Sequence, residues 1–336
     1  MSVLHADLAL VWYLLLAFVL LLVLLLDGLD LGVGILSLFV RQEEQRGAMM
    51  ASVSTVWHAN QTWLVVLGAL LFGAFPLVYG LALSALYIPV ALMLLGFVFR
   101  GVSLEYYNHA ADQRRWGLAF GFGSLLATVA QGLALGTLLS GLPVSGERFS
   151  GGAWVWLSPF SFAATLGLLG SFLLSGAGWL VLKTSGQARE RALRAARAVA
   201  FFLLIAAPVL ILWSCRMHPF LTARWLSWPG LLISSLPLAL ATASFVGLVV
   251  SLARRWDPGC FWFALLTNLL ILAALAGSIY PVIVPPGITV SQAVAGEINL
   301  EFMLVGVGIL LPLMLAYNAY QYWIFRGKVE QGYGYE

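Results

Sequence analysis

"ALVWYLLLAFVLLLVLLLDGLDLGVG" occupies Ala9–Gly34. From Ala9 to Leu26 the run carries no charge. A helix needs about 20 apolar residues to cross about 30 Å of hydrocarbon, so this stretch reads as a membrane span. It exceeds the apolar core of a secretory leader, and the residues before it include His5 and Asp7 but no base, so no cleaved signal is expected. Two carboxylates, Asp27 and Asp30, then stand where lipid should be.

The rest of the chain follows the same pattern. Of 336 residues, 62% are hydrophobic and only 9% charged, with a mean hydropathy of +0.96. Soluble domains carry about 25% charged residues. The composition excludes a water-soluble fold, and a net charge of +3 is too small to point to nucleic acid. Nine candidate spans emerge, at 9–40, 52–75, 79–107, 117–140, 158–183, 197–215, 225–251, 261–281 and 301–326. The runs lack the alternation of barrel strands. The expected fold is therefore an all-α polytopic membrane protein.

Lysine and arginine orient it. Fourteen of them (Arg41, Arg46, Arg100, Arg114, Arg115, Lys183, Arg189, Arg191, Arg194, Arg197, Arg254, Arg255, Arg326 and Lys328) fall on one side of a nine-span arrangement, and three (Arg148, Arg216 and Arg224) on the other. The N-terminus is thus expected outside and the C-terminus inside. The basic run Gln187–Ala198 reads as a divider in a four-plus-four arrangement of spans, and a ninth follows. Cys215 and Cys260 fall at opposite faces and belong to no metal-ligand spacing. The connections Gly141–Leu157 and Pro281–Leu300, rich in Gly, Pro and Trp, read as ordered caps.

Ionisable groups in lipid are costly, so they are functional or paired. They gather in three motifs. In "DGLDLGVG" the spacing of three puts Asp27 and Asp30 on one helix face, and Gly28 and Gly32 form a GxxxG that admits a close neighbour. In "SVSTVWHANQTWLVVLG", Ser52–Gly68, the residues Ser54, His58 and Thr62 form a polar stripe, with Trp57, Asn60, Gln61 and Leu64 on an overlapping face and Trp63 a further packing candidate. A polar stripe on a span must meet protein or water. In "FRGVSLEYY", Arg100 and Glu105 end the third span. Asp27, Asp30, His58, Gln61, Arg100 and Glu105 all fall in the inner halves of the first three spans. They read as an ion-pair network, a proton route, or both, and one alternative for His58 is a pairing with Asp27 or Asp30 that holds the helices. The four histidines, His5, His58, His109 and His218, offer no pair at matched depth, so no haem or other metal is expected on this chain.

At these residues the sequence resembles subunit II of cytochrome bd-type quinol oxidases. The resemblance rests on "DGLDLGVGIL", "WHANQTWLV", "FGAFPLVYGLALSALYIPV", "FRGVSLEYY" and "LPLMLAYNAYQYWIFRGKV", which run in this order from the first span to the last. It implies two four-helix bundles, here 1–140 and 158–281, and a peripheral ninth helix at 301–326. It also implies a partner, subunit I, that carries two b-type haems and one d-type haem and oxidises quinol. A bound quinone and a small single-helix accessory subunit occur in such complexes, and the setting is the bacterial inner membrane. The expected role is a non-haem subunit offering proton or oxygen access; the alternative is a secondary transporter with an ion site at the polar cluster. Two departures stand out. The family's usual Asp and small residue after the first Trp of "WHANQTW" are here His58 and Ala59, and a Trp-Asp pair near the C-terminus is replaced by Ser291–Gln292.

Overall fold

The computed structural model describes residues 3–329, with side chains from residue 6 onward. The first helix, α1 (Val3–Leu22), passes through a π-helical turn, Val23–Asp27, into α2 (Gly28–Ser37). Then come α3 (Glu43–Ser54), α4 (Trp57–Ala74), α5 (Pro76–Tyr106) and α6 (Gln113–Ser140). After the hairpin of β1 (Val144–Ser145) and β2 (Arg148–Phe149) lie α7 (Pro159–Lys183), α8 (Gly186–Met217), the short α9 (Pro219–Trp225), α10 (Gly230–Arg254) and α11 (Asp257–Ile279). A second hairpin, β3 (Val282–Val284) with β4 (Ile288–Thr289), leads through α12 (Val290–Ala293) to α13 (Glu297–Ile324). Both hairpins are antiparallel, so the two long connections are ordered caps.

Among the described residues, eight helices are long and apolar enough to cross a membrane. The expected second span is α4, which has 18 residues and a polar first turn. Several boundaries differ from the hydropathy reading. The basic run 187–198 is not a divider; it forms the first turns of α8, because its alanines favour helix. The stretch 52–75 is two helices. α3 stops at Ser54, and its last carbonyls are taken from afar: Trp179 Nε1 donates to Ser52 at 3.2 Å and Gln321 Nε2 to Thr55 at 2.7 Å. α5 bends at Leu86 (φ −118°, ψ 17°), three residues before Pro89, whose ring clashes with the carbonyl four residues earlier.

The helices pack mainly as the pairs α5–α6, α10–α11 and α7–α8, with α2 and α6 also against α7. One crossing is unusually close. A Cβ on Gly32 would collide with the Phe172 carbonyl oxygen, and one on Gly176 would lie 2.5 Å from Val33 N. Gly28 and Gly32 therefore seat α2 on α7 within this chain. The long face of α13 is almost wholly exposed. It is held by its ends: Asn299 Nδ2 donates to the Gly73 carbonyl at 3.0 Å, and beyond the other end the buried Lys183 ammonium donates to the carbonyls of Phe325 and Gly327. That end also carries the Arg189–Asp257 pair at 2.5 Å and Lys328–Asp257 at 3.2 Å; it is called the basic end below. Cys215 and Cys260 are both free.

Candidate functional site

The π-helical turn ends at Asp27, and Asp30 follows three residues on in α2. Such a turn widens a helix locally and is common at functional sites. Both aspartates are fully buried. Arg100, also fully buried, comes from the far part of α5. α5 approaches α6 closely there, since a Cβ on Gly96 would lie 2.7 Å from the Gly123 carbonyl oxygen. Arg100 Nη1 stands 2.6 Å from Asp27 Oδ1, and the guanidinium carbon lies 5.0 Å from the centre of the Phe97 ring, a cation–π distance.

α4 supplies two amides. Gln61 Oε1 accepts from Arg100 Nη2 at 3.3 Å. Asn60 Nδ2 donates to Asp30 Oδ2 at 3.0 Å and to the Leu26 carbonyl, inside the widened turn, at 3.4 Å. Tyr322 of α13 donates its hydroxyl to Asn60 Oδ1 at 3.1 Å. Gln131 of α6 lies beside Asp27, yet neither atom of its amide makes an aligned hydrogen bond to the described residues. Both Asp27 oxygens and Asp30 Oδ1 are likewise without one; the 2.6 Å contact to Arg100 is a charge pair of poor hydrogen-bond angle. Two carboxylates thus face one guanidinium in the buried interior. Buried polar atoms of this kind call for a proton or for bridging water.

The sequence reading placed His58 and Glu105 in this group, and that is corrected. Arg100 and Glu105 are five residues apart, which turns a side chain about 140° round the helix. Glu105 points out of the chain and meets His58 instead, Nε2 to Oε1 at 3.8 Å, with the two side chains 68% and 60% exposed. His58 is the second residue of α4, not two turns into a span, and its ring centre lies 3.7 Å from that of Trp57. Ser54 belongs to α3, so the expected stripe of Ser54, His58 and Thr62 is interrupted, and His58 and Thr62 are exposed. Of the overlapping face, Trp57 and Asn60 are buried and Gln61 and Leu64 half-buried; Trp63 is buried as well. A pairing of His58 with Asp27 or Asp30 is not seen; Glu105 is its ionic partner.

Two members of the buried group were missed. Gln131 had a readable signal, an amide inside a 28-residue membrane helix. Tyr322 had none, because one tyrosine among several aromatic residues at a span end is unremarkable.

His58 and His109 are exposed, and His218 Nε2 is bound to the Leu139 carbonyl at 2.7 Å. The side chain of His5 lies outside the described residues. No group of three or more His, Cys, Asp or Glu suited to a metal occurs among the described residues.

Comparison with known proteins bears directly on this arrangement. The family model of cytochrome bd terminal oxidase subunit II matches residues 8–325. Cytochrome bd-I ubiquinol oxidase subunit 2 of Escherichia coli K12 is 26% identical over 357 aligned positions, covering 95% of this chain and 94% of the relative. Cytochrome bd ubiquinol oxidase subunit 2 of Bacillus subtilis 168 is 25% identical, covering 95% and 96%. In three dimensions the chain is similar to one in the structure of bd oxidase from Geobacillus thermodenitrificans, with a TM-score of 0.78, 19% identity, and coverage of 95% and 98%. None of these three is a transporter, and they give that alternative no support. A match spanning nearly the whole sequence, over the motifs that build the buried acid–base group, places this chain in the cytochrome bd terminal oxidase subunit II family.

Proposed function

We propose that this chain is the non-haem subunit of a bacterial inner-membrane quinol:oxygen oxidoreductase and that its buried group handles protons for that reaction. The partner, subunit I, holds two b-type haems and one d-type haem and oxidises quinol; oxygen chemistry belongs to it. In this reading α4 is the ninth crossing, 1–140 and 158–281 form two four-helix bundles, α13 is peripheral, and the basic end faces the cytoplasm. Lipid surrounds the pair, and a small single-helix accessory subunit and a bound quinone are compatible with it.

One observation carries the reading: Asp27 and Asp30, both buried, against the single guanidinium of Arg100. Desolvated charge must balance, so the group is neutral with one proton added. In this reading Asp27, 2.6 Å from Arg100, carries the negative charge. The proton then belongs to Asp30, on Oδ1, which has no other hydrogen-bond partner among the described residues. A carboxyl that gains and loses one proton inside a membrane is what oxygen reduction, which consumes protons, can draw on. The exposed His58–Glu105 pair lies on α4 and α5, the helices of Asn60 and Arg100, and supplies titratable groups on the surface.

The test is Asp30→Asn in the assembled oxidase. It keeps size and polarity and removes the proton. Full haem content with turnover lowered at least tenfold and a flattened pH profile is expected. Wild-type turnover across pH would end the proton reading and leave a structural role.

A further inference from the structure

The Asn60 amide has two donor hydrogens and one acceptor oxygen, and all three are engaged: Nδ2 with Asp30 Oδ2 and with the Leu26 carbonyl, Oδ1 with the Tyr322 hydroxyl. The Leu26 carbonyl can only accept, as does Asp30 Oδ2, so both demand the nitrogen. Tyr322 is the partner that donates to Oδ1 and completes the set.

We propose that Tyr322 is a positioning residue, whose hydroxyl, by donating to Asn60 Oδ1, strengthens the hydrogen bond that Asn60 gives Asp30 and so sets the pH at which the Asp27–Asp30–Arg100 group exchanges its proton. The inference rests on the proton-handling reading of that group and assigns its control to the last helix.

The geometry gives Tyr322 little other business there. Its ring meets Trp179 edge-on, with centroids 5.7 Å apart at 79°. Its neighbour Gln321 ties the same helix turn to the Thr55 carbonyl at 2.7 Å. The contact with Asn60 joins residues 262 apart in sequence, so no local preference places it. The charged groups near Asp30 are Asp27 on its own helix segment and Arg100 on α5. α4 contributes the neutral Asn60, α6 the neutral Gln131, α7 the apolar Phe172 and Gly176, and α13 the phenol of Tyr322.

Without the hydroxyl, Asn60 Oδ1 is buried without a donor. The amide keeps its nitrogen toward Asp30 and the Leu26 carbonyl but is less polarised, so its hydrogen bond to Asp30 weakens. A weaker donor to the carboxylate favours the acid. The proton is retained to higher pH.

The experiment uses the whole two-subunit oxidase. Tyr322→Phe keeps the ring and its contact with Trp179. The haem absorbance spectrum should be unchanged, and the pH profile of quinol-driven oxygen uptake should move to higher pH by about one unit. The infrared C=O stretch of the protonated Asp30 should disappear at a correspondingly higher pH. Adding Tyr322→Phe to Asp30→Asn should change nothing further. A Tyr322→Phe profile that overlays wild type while Asp30→Asn alters it overturns the proposal and leaves the proton reading intact. If neither variant departs from wild type, the proton reading fails and this proposal with it. Should Tyr322→Phe not assemble, 3,5-difluorotyrosine at 322 keeps shape and hydroxyl but donates more strongly. Its profile should move to lower pH, and an unmoved profile overturns the proposal.

Discussion

Arg100 of helix α5 and Asp27, at the end of the π-helical turn before α2, stand 2.6 Å apart, each with a side chain sealed from solvent. Removing one member of a buried pair leaves the other charged and uncompensated, at a cost of about 3–5 kcal/mol. Arg100→Gln should therefore lower the yield of assembled oxidase and its denaturation midpoint sharply. Asp27→Asn together with Arg100→Gln should recover much of the loss. Thermal denaturation of the purified complexes decides it. An Arg100→Gln complex as stable as wild type would mean the group is hydrated.

The α2–α7 crossing gives a prediction with opposite signs at two glycines. Gly32→Ala drives a methyl into the Phe172 carbonyl, and backbone cannot rotate away, so a loss of about 1–3 kcal/mol is expected. Gly80, in α5, is exposed, and a methyl there would have nothing within 4 Å. Gly80→Ala should be neutral or stabilising by up to about 1 kcal/mol through helix propensity. Denaturation midpoints that fell equally for both would count against the tight crossing.

His58 and Glu105 tell a different story, because both are exposed. Exposed ion pairs contribute about 0–1 kcal/mol, so His58→Asn should assemble with full haem content. If His58 feeds protons to the group, turnover slows and the pH profile changes, while His58→Asp, restoring the family's usual residue, keeps most activity. Wild-type turnover at every pH in His58→Asn would remove His58 from the route.

Much of this was readable in advance, and the failures share a cause. Hydropathy finds where a chain must meet lipid, and the motifs around Asp27, Asn60 and Arg100 marked three helices that do converge. It cannot see where a helix ends when its last carbonyls are satisfied by Trp179 and Gln321 from distant segments. Treating 52–75 as one rod put His58 inside a span, when it is the second residue of α4. The π-helical turn at Val23–Asp27 also has no signature in the apolar run, yet it shapes the turn in which Leu26 meets Asn60. Asn60 was taken for a packing residue; only the tertiary placement of Tyr322 makes its amide a hub.

Lys183 offers a fourth test. Its buried ammonium donates to the Phe325 and Gly327 carbonyls and lies 4.7 Å from the centre of a Trp179 ring. Lys183→Met keeps the stem and removes the donors. Hydrogen bonds to a charged group are worth about 1.5–3 kcal/mol, so the segment after α13 should open roughly tenfold more often. Limited trypsin digestion at Arg326 should accelerate to match, with the haem spectrum unchanged. Equal digestion rates would show the segment is held by other means.

The same lysine has a consequence for how the protein is made. The carbonyl of Phe325 leaves the ribosome 142 residues after Lys183, and the Tyr322 hydroxyl 262 residues after Asn60. Over those stretches of synthesis both polar groups are present in the nascent chain without their final partners. Lys183 must therefore remain near the watery interface, and Asn60 loosely seated, until the last helix enters the bilayer. Insertion of α13 is then the event that closes the interior, and a ribosome that stalls before it leaves a chain whose buried acids lack their finished hydrogen-bond frame.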